Sequence, residues 1–85
     1  MPEISRFYGI VIVLYYRDHE PPHFHALYGG AEGIVRIDDG AVSGNLPGRA
    51  RRMVLDWLEQ HREELRANWA RARARKSLAR VAPLE

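Results

Sequence analysis

Asp18-His19-Glu20-Pro21-Pro22-His23-Phe24-His25-Ala26-Leu27-Tyr28 is the stretch that decides how this 85-residue chain is read. Pro21 and Pro22 remove two backbone donors and force an extended or turning path. From His23 onward polar and apolar residues alternate. On a strand this puts both histidines on one face and Phe24, Ala26 and Tyr28 on the other. A strand that starts directly after a proline-stiffened turn is the first fixed point.

Upstream, Phe7 to Tyr16 is rich in Ile, Val, Leu and Tyr, with apolar residues on both alternating faces. It reads as one strand, either covered on both sides or leaving a face for a partner. Gly9 within it reads as a bulge or a close backbone approach. Downstream, Gly29-Gly30 turns the chain, Ala31 to Ile37 forms a further strand, and Asp38-Asp39-Gly40 is a hairpin signal. Ala41 to Leu46 is a shorter fourth strand.

From Pro47 the period changes. Ala50, Met53, Val54, Trp57, Leu58, His61, Leu65, Trp69 and Ala72 follow spacings of three and four, the stripe of an amphipathic helix. Glu59 to Glu64 is polar enough to hold a junction. The expectation is one α+β domain over residues 1–85. It has a three- to four-stranded, mostly antiparallel sheet in residues 7–46, then one long or two consecutive helices over about 47–75 packed on one face. Trp57 and Trp69 should be buried against the sheet, and the tail, with two apolar anchors at Leu78 and Val81 and then Pro83-Leu84, should pack back on the domain.

With no cysteine, neither a disulfide framework nor a thiolate zinc site can form. An apolar share of 46% with 28% charged residues is that of a folded chain. The longest apolar run, Gly9 to Tyr16, is too short to span a bilayer. Residues 1–6 lack the features of a secretion signal. A cytoplasmic protein with no membrane association is expected. Residues 1–46 hold three arginines against six acids, and residues 47–85 hold ten Lys/Arg against five, so the second half is the one that attracts phosphate or an acidic partner.

Three of the four histidines, His19, His23 and His25, fall within seven residues. On a strand, His23 and His25 stand about 6–7 Å apart. That spacing leaves three roles open. The imidazoles can cap turn carbonyls. They can act as acid and base around a phosphate, with Arg6 or Arg17 steadying its charge and no metal needed. Or they can hold a divalent metal ion, with His19 or Asp18 as third ligand. Tyr8, Tyr15 or Tyr16 can add a phenol. Arg62, Arg66 and Arg73 align opposite the apolar stripe, where they serve either as a solvated face or as a surface for RNA or an acidic protein. No P-loop, nucleophile elbow or dinucleotide-binding glycine motif is present.

Pro2-Glu3-Ile4-Ser5-Arg6-Phe7-Tyr8-Gly9-Ile10-Val11-Ile12, Tyr15-Tyr16, the Asp18 to His25 stretch, Leu46-Pro47, Trp57, His61, Glu63-Glu64-Leu65, Asn68-Trp69 and Pro83-Leu84 together resemble domain-of-unknown-function family 4160. The resemblance implies a small prokaryotic protein, one half of a two-gene toxin–antitoxin-like module whose neighbour belongs to family 2442. It assigns no activity. It also implies a glycine near position 75 or 76, where this chain has Arg75 and Lys76.

The favoured reading is therefore an interaction module that binds a small protein partner or a second copy of itself. The alternatives are a small ribonuclease-like toxin using His19, His23 and His25, and a metal-binding protein using the same three histidines.

Overall fold

Tyr8 and Gly9 both take left-handed backbone, with φ of 49° and 82°, so the apolar run from Phe7 turns back on itself. Two consecutive residues at positive φ make the tight turn whose twist matches antiparallel strands. The single strand expected over Phe7 to Tyr16 is instead the end of one strand and the whole of another. The computed structural model, which describes residues 2–85, has β1 (Glu3–Phe7), β2 (Ile10–Val13), β3 (His23–Tyr28), β4 (Ala31–Arg36), β5 (Val42–Gly44) and α1 (Gly48–Arg73). The sheet has five strands rather than three or four and begins at residue 3, in the order β1-β2-β3-β4-β5, every neighbouring pair antiparallel.

Registers fix the faces. Ile12 pairs with Ala26, and Phe24 with Val35; all four are fully buried in the main core with Val54, Trp57, Leu58 and Leu65 of α1. Val13 pairs with His25 and His25 with Ile34, so the histidines lie on the sheet face away from that core. Trp57 is the anchor expected of it. Its ring stands 5.4 Å from Phe7 and 5.6 Å, edge-on, from Phe24.

Helix α1 runs from Gly48 to Arg73 with one interruption, at His61 (φ −128°, ψ 21°). The polar junction is thus a kink within one helix. At its end Arg75 adopts φ 59°, while Lys76 N–H donates to the Arg71 carbonyl at 2.8 Å. This closes the helix with the left-handed cap usually made by glycine. The turn expected at position 75 or 76 is kept, with arginine in the left-handed position.

The tail packs back as expected. Asn68, fully buried on α1, grips the backbone of Ala79 at both its N–H and its carbonyl. Trp57 Nε1 donates to the Ala82 carbonyl at 2.8 Å, and Val81 N–H donates to Ile4 of β1 at 2.8 Å. The outer side of β1 is thereby engaged by the chain's own tail. Among the described residues, no helix is long and apolar enough to cross a membrane.

Candidate functional site

Pro21 and Pro22 deliver the chain into β3 so that His23 and His25 project from one face, their ring centroids 5.4 Å apart. The connection from β2 folds over that face and sets Asp18 between them. Asp18 Oδ2 lies 2.8 Å from His23 Nε2 and 3.1 Å from His25 Nε2. The outer nitrogens are also engaged. His23 Nδ1 is 2.8 Å from the Pro21 carbonyl, and His25 Nδ1 is 2.8 Å from Glu32 Oε2. Burial pushes the Asp18 carboxyl up, but hydrogen bonds and charge from His25 and His23 outweigh it and hold the group below its ordinary value.

The rings are held from several sides. Tyr15 packs edge-on against His25 at 4.7 Å. The indole of Trp69 stands 5.3 Å from His23, and its Nε1 donates to Glu20 of the proline turn at 3.3 Å. Trp69 is therefore both a core anchor and a brace for the histidine turn. The side chains of His23 and His25 keep only 8% and 13% of their exposure, yet both border a solvent-open cavity of about 480 Å³. Its polar lining includes Asp18, His19, Arg36 and Ser43, and Ile34 and Val42 supply much of its apolar wall. Asp18, His23 and His25 present three ligand atoms within 4.8 Å of one another, so this is where a metal ion could be held.

The sequence-derived candidates divide around this centre. His23 and His25 converge. His19 lies on the cavity wall, its ring 6.1 Å from that of His23 and its Nδ1 turned to the Glu20 carbonyl. Arg6 lies elsewhere, on β1, paired with Glu3 at 2.8 Å. Tyr8 occupies the first hairpin turn. The basic helix residues are tied down within the chain: Arg62 to Glu59 and the Ile37 carbonyl, Arg66 to Asp38 and Glu63, and Arg73 to Glu20.

Sequence reasoning misses two residues of the site, Glu32 and Arg36. The signal that could find them is the hairpin at Gly29-Gly30. Pairing Tyr28 with Ala31 places Arg36 opposite His23 and Glu32 diagonal to His25, on the histidine face.

The fold and site define a small α+β domain with a histidine–aspartate centre on the open face of an antiparallel sheet. The chain belongs to the domain-of-unknown-function family DUF4160, whose pattern it matches over residues 9–70. Neither a curated protein nor a solved structure matches it significantly.

Proposed function

We propose that this domain is a small hydrolase acting on phosphate esters, with the open-face cavity as its substrate pocket. The observation that carries this reading is the convergence of Asp18, His23 and His25 on one point of a cavity wall. Polar groups meeting at the edge of a pocket of several hundred Å³ are how small-molecule sites are built. Arg36 is the cation in reach. It projects from β4 directly opposite His23 and lines the same cavity. Its ion pair with Asp39, at 3.4 Å between two half-exposed side chains, is weak enough to open for a substrate phosphate.

The sheet edges favour the cavity over a partner strand. β1 carries the tail, and β5 is a three-residue strand ending at Gly44, whose φ is 99°. Short, irregular edges resist strand addition.

The test is turnover of bis(p-nitrophenyl) phosphate and a short RNA by the purified chain, with and without added divalent metal ions, set against its Arg36→Ala and His25→Ala variants. Support is hydrolysis that His25→Ala abolishes and Arg36→Ala reduces at least tenfold in kcat/KM. Absence of turnover, or turnover unchanged in His25→Ala, overturns the proposal.

A further inference from the structure

We infer that Asp18, His23 and His25 bind a single divalent first-row transition-metal ion through Oδ2 and the two Nε2 atoms. The argument starts from which atoms can donate and which can only accept. A carbonyl oxygen only accepts, so His23 Nδ1, 2.8 Å from the Pro21 carbonyl, carries the hydrogen. His25 Nδ1 is fixed in the same way by Glu32 Oε2 at 2.8 Å. A neutral imidazole with its hydrogen on Nδ1 has a lone pair on Nε2. Both of these lone pairs point at the same carboxylate oxygen, at 2.8 and 3.1 Å.

Lone pair against carboxylate is repulsive unless something positive sits between them. In the metal-free chain protons on the two Nε2 atoms supply it by donating to Asp18, but only by making both rings imidazolium, with centroids 5.4 Å apart. One metal cation supplies it with both rings neutral.

The surroundings match a metal centre. Metal-binding histidines almost always donate their second ring N–H to a carbonyl or carboxylate, which fixes the tautomer and aims the ring. Here Pro21 and Glu32 are those two partners. Tetrahedral bonds of about 2.0–2.1 Å place neighbouring ligand atoms roughly 3.3 Å apart, so the two distances to Asp18, 2.8 and 3.1 Å, need widen by a few tenths of an ångström, and the third, within 4.8 Å, need only settle to the same value. Two imidazoles and one carboxylate suit zinc, iron, cobalt or nickel rather than calcium or magnesium, which take oxygen ligands.

Three protein ligands beside an open cavity leave a coordination position for water, the arrangement of a catalytic metal rather than a structural one. The ion would also offset the carboxylates of Asp18 and Glu32, which would otherwise repel a phosphate. The inference deepens the hydrolase reading, but it is measured without substrate, so the two can fail separately.

The experiment is calorimetric titration of the chelator-treated full chain with zinc chloride, with the histidine ring resonances followed by NMR. One equivalent of zinc is expected to bind and to shift His23 and His25, while His61, held by Glu64 on α1, stays in place as the internal control. Glu32→Gln, at an exposed position, should keep the fold and weaken zinc binding about 10–100-fold. Asp18→Asn should weaken it further. Absence of one-to-one binding overturns the inference, as does zinc binding that survives Asp18→Asn but is lost in His19→Ala.

Discussion

Asn68 and Ala79 exchange two hydrogen bonds: the Asn68 amide donates to the Ala79 carbonyl at 2.9 Å, and the Ala79 N–H donates back to Asn68 Oδ1 at 2.8 Å. A fully buried amide side chain thus does for the tail what a neighbouring strand does for a sheet residue. Removing the amide breaks both part-buried bonds at once, each worth about 1 kcal/mol or somewhat more. Asn68→Ala should lower stability by roughly 2–3 kcal/mol in urea unfolding. It should also speed proteolysis within the tail. A loss below about 0.5 kcal/mol would mean that water replaces both bonds.

Trp57→Ala removes the ring that fills the space between Phe7 and Phe24. Truncating a fully buried tryptophan should cost about 3–5 kcal/mol. Trp57→Phe keeps part of the volume and loses the bond to Ala82, so its effect on thermal unfolding should be clearly smaller.

Arg75 holds a left-handed conformation that disfavours any residue with a β-carbon by about 1–2 kcal/mol. Arg75→Gly should relieve much of that and raise the melting temperature by several degrees. A lowered melting temperature would show that the arginine side chain makes a stabilising contribution larger than the backbone penalty.

Glu3 holds Arg6 at 2.8 Å and Arg80 at 3.5 Å, linking the tail to β1. Its hydrogen bond to Arg6 is the main cause of a carboxyl value below the ordinary one. A lowered folded-state value means that this contribution is fully present above the unfolded-state value, about 4.3, and is lost as pH falls through the folded one. Glu3→Gln should leave the acid limb of the stability profile less steep below about pH 4. Amide exchange near Arg80 should rise over the same range in the parent chain.

Much of the fold is legible in the amino-acid sequence alone, and the failures have specific causes. The alternation from His23 to Tyr28, the glycine and aspartate turns, and the 3.6-residue period after Pro47 are local signals; the structure follows them. The first hairpin is hidden because Tyr8 takes positive φ without the Asn-Gly or Asp-Gly signature, inside a run apolar enough to pass as one strand. Asn68 lies outside the apolar stripe, and its partner is a backbone group eleven residues away. The histidine pair follows from period two alone. Asp18 as their shared partner depends on how the proline turn folds over the sheet, which local pattern does not encode. Glu32 and Arg36 come within reach once the register is carried across Gly29-Gly30.

Val81 joins the two ends of the described chain, with its N–H on the Ile4 carbonyl and its side chain in the core. Every strand pairs with a neighbour in sequence, so the meander can be built from short loops with little entropy lost in each closure. Docking of the tail spans nearly the whole chain and comes only after the sheet and helix exist to receive it. Val81→Ala should therefore leave the refolding rate nearly unchanged and accelerate unfolding in stopped-flow measurements, the pattern of a contact made after the rate-limiting step. Until that last segment docks, β1 lacks the hydrogen bond from Val81 that engages its outer side.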